Sequence, residues 1–303
     1  MPTRGKILVI RGGAIGDFIL TFPVLSALRA EFPEAHLEVL GYPHIADLAV
    51  AGGLVQRARS IEAQPLARFF ARGGELSDEL CEYFSSFDII ISYLYDPDKI
   101  FQINVASCSR AQFIAGPHRP DEKQKVHATK VFLQPLERLA IFEAEEIPKL
   151  SLKGIASSDK QLAFHPGSGS ERKNWPANFW AELIETTLAE TDHPILLVGG
   201  EAESSRLDFL GRSIPRERLD IAENLALVDL AVRLQSCAGF VGHDSGISHL
   251  AAALGLPGLV LWGDTVEEIW RPPSAKIKIL RSASGLAGLS VARVANELKQ
   301  LFG

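Results

Sequence analysis

Alternating strand and helix signals across 303 residues predict an α/β protein made of two Rossmann-like domains whose parallel sheets face one another across a cleft. Three observations carry this. Short β-branched runs recur from end to end between segments of helical period, the pattern of parallel strands covered by helices on both faces. Each half opens on a strand that runs into a glycine-bearing loop, "KILVIRGGAIGD" at 6–17 and "LAFHPGSGS" at 162–170. Between the halves lies "EEIPKLSLKGIASSDKQ", rich in Pro, Gly, Ser and charge, which places a linker near residues 146–160 and domains at 1–150 and 151–303.

In chain order, the first half predicts strands at "KILVI", "HLEVLG", "DIIISYL" and "AQFIAG", then the helical segment "HATKVFLQPLERLAIFEA". The second half predicts strands at "QLAFH", "PILLVGG", "GFVGHD", "GLVLWG" and "KIKIL". The helix after "GFVGHD" stops at Gly255, with Pro257 just beyond. At the C-terminus "LSVARVANELKQLFG" is amphipathic, with Val291, Val294, Ala295 and Leu298 on one side, and reads as a capping helix.

Composition removes several functions. A net charge of −6 lacks the basic excess that drives phosphate-backbone binding, so no nucleic-acid partner is expected. Cys81, Cys108 and Cys237 form no CxxC pair and suggest neither a disulfide framework nor a zinc site, which fits a reducing cytosol. Arg11 and Asp17 interrupt the N-terminal apolar run too early for a signal peptide, and no later stretch is long enough to span a bilayer. The expectation is a cytoplasmic protein that at most rests on a membrane.

Three clusters in the second half point to an anion. Asp244, Ser245 and Gly246 follow a buried-type strand at the mouth of a helix, where unpaired N–H groups and the macrodipole favour a phosphate, and His249 lies in the first turn. Asp and Ser there are also ordinary N-caps. "HPGSGSERKNWP" offers Ser168, Ser170 and Lys173 around Gly167 and Gly169, a lysine beside a glycine-rich turn that suits a diphosphate. "VGGEAES" sets Glu203 where a carboxylate can bond a ribose hydroxyl or simply charge a first helical turn.

The first half offers Asp17, read as a carboxylate on a loop pointed into the cleft and hence a candidate general base. Gly12, Gly13 and Gly16 faintly echo a dinucleotide fingerprint, yet the second strand ends "VLGYP" without the ribose-binding acid of a nicotinamide site. "YDPDK", with Asp96 and Asp98, reads as a turn rather than a metal motif.

With these motifs in view, the chain resembles glycosyltransferase family 9, the ADP-heptose:lipopolysaccharide heptosyltransferases. The matching pieces are "GAIGDFILTFPVLSALRAEFP", "HPGSGSERKNWPANFW", "LVGGEAES" and "DSGISHLAAALGLPGLVLWGDT". The resemblance implies a GT-B fold, with an acceptor-binding N-terminal domain and a donor-binding C-terminal one. It implies inverting transfer of L-glycero-D-manno-heptose from ADP to a lipopolysaccharide inner-core sugar. The acceptor is then lipid-linked and met at the cytoplasmic face of the inner membrane, with no cofactor and no essential metal.

Carried onto this sequence, Asp17 resembles the catalytic base and Lys173 the group that stabilises the departing diphosphate. Ser168, Ser170 and Lys173 are its phosphate contacts, Glu203 its ribose contact and Leu225 its adenine contact. Asp244, Ser245, Gly246 and His249 form the donor-phosphate and sugar loop. Gly13 and Arg119 are the acceptor-side candidates. Between about 42 and 120 no family motif appears, and Arg68, Arg72, Arg110 and Arg119 are the basic residues available to an acidic acceptor. Three rivals stay open: a transferase for another nucleotide-sugar, a nucleotide-sugar binding module without chemistry, and a nicotinamide-linked oxidoreductase.

Overall fold

The run Lys6–Arg11 (β1) is buried from Ile7 to Arg11, as a strand with neighbours on both edges and helices on both faces requires. The computed structural model describes residues 5–152 and 161–302, and the chain divides into two compact units, Met1–Glu146 and Ile147–Gly303. In the first unit β1 pairs in parallel with His36–Gly41 (β2) and Ile89–Ser92 (β4). Arg57–Ser60 (β3) and Gln112–Ala115 (β5) close the edges, giving the order β3-β2-β1-β4-β5. On one face Leu8, Ile10, Leu40, Phe69, Phe84 and Phe101 form a shared core.

The second unit repeats the plan with one more strand. Its strands are Leu162–His165 (β6), Ile195–Gly199 (β7), Leu219–Glu223 (β8), Gly239–His243 (β9), Gly258–Leu261 (β10) and Ile277–Leu280 (β11). They run parallel in the order β11-β10-β9-β6-β7-β8. The terminal helix Val291–Phe302 buries Val291, Val294 and Leu298 in the core that holds Trp175, Trp180 and Leu162, and so it caps this unit.

Two strands were not legible as such, β3 ("RARS") and β8 ("LDIAE"), and both lie at sheet edges. Of the linker segment, residues 153–160 lie outside the described residues. Ahead of them the chain is already docked on the second unit. The Leu150 N–H donates to the Ala253 carbonyl (2.8 Å), and the Leu152 backbone exchanges hydrogen bonds with the Gln235 amide. Among the described residues, no helix is long and apolar enough to cross a membrane.

The topology fixes where ligands go. In each sheet the chain starts in the interior, builds outward to one edge, then returns to build toward the other. Loops leaving the two strands at that reversal part company, and the crevice left at their carboxyl ends is where open α/β sheets bind ligands. The reversal lies between β1 and β4 in one unit and between β6 and β9 in the other.

Candidate functional site

In the second unit every donor-side candidate leaves the carboxyl end of a strand. Along the sheet, from β9 through β6 and β7 to β8, the loops carry Asp244 to His249, Ser168 to Lys173, Glu203 and Leu225 in that order. Three inter-strand steps span about 14 Å at ~4.8 Å each, the scale of a nucleoside diphosphate laid across the sheet.

The helix Gly246–Ala253 begins as its sequence suggests. Ser245 is its N-cap, its hydroxyl accepting from the Ser248 N–H, and Gly246 is the first helical residue. Asp244 just before it is almost enclosed, and its Oδ2 accepts from Lys173 Nζ (2.8 Å) and from Thr265 Oγ1 (2.6 Å). Lys173 is therefore brought from the β6 loop to the β9 helix mouth, as a diphosphate site needs, and its charge is already answered by a carboxylate. His249 is buried in the same helix.

The β6 loop is braced by its own side chains. The Ser168 hydroxyl lies 2.9 Å from the Ser170 carbonyl and 2.7 Å from Asn174 Oδ1, while Gly169 takes a φ of +72° and is exposed. Gly167 is needed for room: a Cβ there would stand 2.3 Å from Glu203 Cγ. Glu203 thus packs on the β6 loop, and its Oε2 accepts from the Gly200 N–H (2.9 Å), capping its own helical turn. Its other carboxylate oxygen, Oε1, lies against Gly167, where a Cβ would stand 2.5 Å from it. Leu225 is 38 % exposed just beyond β8, after Asn224 at a φ of +52°, an apolar side chain presented to solvent as a base-stacking surface requires.

Sequence reasoning missed the supports under this site. Buried His165 and His243 close β6 and β9. His243 Nε2 accepts from the Trp175 N–H (2.8 Å), so the proton sits on Nδ1, which donates to the Gly167 carbonyl (3.2 Å). Burial pulls His243 down to about 3 against the opposing Gly167 carbonyl, with His165 and Arg206 nearby adding to the downward pull, and burial pulls His165 down to about 4. Both rings are neutral struts at neutral pH. His165 Nδ1 lies 3.4 Å from the Ser245 hydroxyl, and Arg206 donates to the Pro166 carbonyl (2.7 Å), fixing the loop's first residue. The only sequence signal for these residues was position: each histidine is the last residue of a buried strand.

In the first unit Asp17 is not on a loop. It is the third residue of the short helix Ile15–Ile19, where its Oδ2 accepts from the Ala14 N–H (3.1 Å), closing the first turn on itself. Its side chain is 30 % exposed and faces Arg11 Nη2 at 3.7 Å from Oδ1. Gly13, with a φ of +100°, lies against this carboxylate: a Cβ there would stand 3.2 Å from Oδ2. Arg119 forms an ion pair with Glu122 (2.6 Å) one residue beyond the carbonyl of His118, which holds Arg11.

The other arginines are dispersed. Arg68 and Arg72, from the loop after β3, pair with Glu75 and Asp98 on the surface. Arg110 precedes β5 and so lies at the amino end of the sheet, away from Asp17, because the helix Ile100–Cys108 has carried the chain back. Asp96 accepts from the N–H groups of Phe101 and Gln102, opening that helix as a turn residue does.

The family model described as glycosyltransferase family 9 (heptosyltransferase) matches residues 127–293, more than half of the chain. The chain belongs to glycosyltransferase family 9. Lipopolysaccharide heptosyltransferase 2 of Salmonella typhimurium is 22 % identical over 313 aligned residues, covering 92 % of this chain and 89 % of that protein. Among solved structures, E. coli ADP-heptose lipopolysaccharide heptosyltransferase II superposes with a TM-score of 0.79 at 18 % identity, covering 98 % of each chain. An E. coli heptosyltransferase solved with ADP gives 0.79 at 17 % identity, covering 98 % and 99 %. The family 9 chain has the GT-B fold of these proteins and is a glycosyltransferase, and the oxidoreductase reading is set aside.

Proposed function

We propose that the protein transfers L-glycero-D-manno-heptose from an ADP donor to an inner-core sugar of lipopolysaccharide, with inversion at the anomeric carbon. One observation carries the donor half: the order of the loops along the second sheet. Helix mouth and lysine come first, then Glu203, then Leu225, which matches diphosphate, ribose and adenine in sequence. The names of the relatives support heptose and lipopolysaccharide as the substrate classes.

In this reading Asp17 takes the proton of an acceptor hydroxyl while that oxygen attacks the anomeric carbon from the face opposite the diphosphate. The glycosidic C–O bond breaks as the new one forms, and the electron pair leaves on the ADP oxygen. Lys173 and the N–H groups at Ser245 and Gly246 receive the growing charge. The reaction requires Asp17 and the donor's sugar to meet in the ternary complex. Ser168 and Ser170 line the phosphates, His249 and Asp244 the sugar side, and Gly13 and Arg119 the acceptor side. A lipid-linked acceptor brings the enzyme to the cytoplasmic face of the inner membrane as a peripheral visitor.

The test is ADP release from ADP-heptose in the presence of a Kdo-bearing lipid acceptor, with the product's anomeric configuration read by NMR. ADP release with inverted product is the expected result. Faster turnover with a UDP-sugar, or binding of ADP-heptose with no ADP released for any acceptor, overturns the assignment.

A further inference from the structure

Arg11 ends β1 with 3 % of its surface exposed, directly behind the carboxylate assigned above as base. Nη1 donates to the His118 carbonyl (2.9 Å), and Nη2 donates to the Asp17 carbonyl (3.4 Å) and faces Asp17 Oδ1 at 3.7 Å. The guanidinium carbon stands 4.3 Å over the Phe132 ring and 5.8 Å from the Tyr93 ring. Burial pulls the guanidinium below its ordinary value, and the Asp17 charge, then Tyr93, push it back. Tyr93 brings a ring rather than a charge: burial raises its phenol well above the usual range, and its hydroxyl donates to the Phe132 carbonyl (2.6 Å).

A cation buried this deeply is costly unless something opposes it, and Asp17 is the carboxylate that faces it. The contact is asymmetric in a way that suits a base. Asp17 Oδ2 is occupied by the Ala14 N–H, whereas Oδ1 feels the cation across 3.7 Å, a separation too long for a hydrogen bond. Oδ1 therefore keeps its lone pairs open while the charge behind it and the cap bond beside it fix the carboxylate plane. A direct bidentate Arg contact would have occupied both oxygens.

We propose that Arg11 is a positioning residue for glycosyl transfer, holding the Asp17 carboxylate so that Oδ1 is presented to the acceptor hydroxyl. The inference rests on Asp17 as base. It assigns the guanidinium no contact with substrate. The proton leaves the acceptor oxygen for Oδ1, and Arg11 stays protonated throughout.

Arg11 also ties β1 to the 118 loop, so a purely structural role must be separated from this one. A double-mutant cycle on the full chain does so, with thermal melts to verify folding. Arg11→Met is expected to lower kcat about 30-fold with donor and acceptor KM within about three-fold, the scale of a misplaced reacting group. Arg11→Lys is expected to lose about five- to ten-fold, because an ammonium keeps the charge but not the planar fork. In an Asp17→Asn background either change should cost less than about two-fold, since the group they position is gone. Should Arg11→Met fail to fold, Arg11→Lys carries the cycle alone. An Arg11 penalty of equal size in both backgrounds overturns the inference and leaves the base intact. Near-normal turnover of Asp17→Asn itself removes the base, and the inference with it.

Discussion

The carboxyl end of β1 and the carboxyl ends of β6 and β9 occupy the same place in two copies of one plan, and they are charged in opposite ways. β1 ends in Arg11, a buried cation answered by the half-buried carboxylate of Asp17. β6 and β9 end in His165 and His243, which burial keeps neutral, and the ammonium of Lys173 beside them is already held by Asp244. On the function proposed above, the first arrangement keeps an anion in place to take up a proton. The second then keeps N–H groups and an ammonium in place for a diphosphate, with neutral rings supplying geometry alone. One backbone geometry would thus serve acid–base work or anion binding according to which residue closes the strand.

The largest effect that could break this comparison is at Asp17. Asp17→Asn keeps the cap bond to the Ala14 N–H through the amide oxygen and removes the proposed base. Turnover should fall about 100-fold or more while ADP affinity, read by calorimetry, stays within about three-fold. Next is Lys173→Met, which leaves Asp244 facing the incoming diphosphate without its cation. The donor kcat/KM should drop about 30-fold, on the scale of 2 kcal/mol for removing the partly exposed lysine from a carboxylate that is itself nearly enclosed. An Asp244→Asn change added to it should restore part of the donor affinity by removing the unanswered charge. If Lys173→Met binds ADP like the parent protein, the helix mouth alone holds the phosphates.

Much of this plan can be read from the sequence, and the parts that cannot share a cause. Strands β1, β2, β6, β7, β9 and β10 are buried on both faces and so appear as apolar runs. β3 and β8 carry Arg57, Arg59, Asp220 and Glu223 because each has an open edge, where charge guards against strand pairing and hides the β signal. Ser168, Lys173, Asp244 and Gly246 stand out in the sequence as candidates because helix starts and glycine turns leave local marks. His243 and Thr265 leave none, nor does the bond from Arg11 to the His118 carbonyl: these partners are 68, 21 and 107 residues away in the chain. The misreading of Asp17 as a loop residue has the same root, since a helix of five residues is too short to show a period.

The neutral struts make an intermediate prediction. A histidine whose folded-state value lies below its unfolded one destabilises the native state as it is forced to take up a proton. Stability is therefore full above about pH 6.5 and falls as pH drops toward about 4 for His165 and about 3 for His243. Between pH 7.5 and 5.5 each should remove about 1 kcal/mol, read from urea midpoints. His243→Gln, whose amide oxygen can accept from the Trp175 N–H without titrating, should flatten that slope by its share. An unchanged slope would mean that His243 takes up its proton alike in folded and unfolded chains.

The smallest effect lies at Thr265, and it asks how finely the donor site is set. Thr265 Oγ1 donates to the same Asp244 oxygen that holds Lys173, while the Thr265 carbonyl accepts from the Trp262 indole (2.9 Å). The buried indole fixes the loop after β10, the loop fixes the hydroxyl, and the hydroxyl turns the carboxylate toward the lysine. Thr265→Val keeps the branched shape and the carbonyl and removes only the hydroxyl. Asp244 then has Lys173 as the remaining donor on Oδ2, and the pair gains freedom to rotate. A rise of about five-fold in donor KM with kcat within about two-fold is expected, near 1 kcal/mol for one hydrogen bond lost from a carboxylate that keeps Lys173 as a donor. A change confined to kcat would instead place Thr265 against the departing phosphate in the transition state, making it a member of the anion site rather than its support.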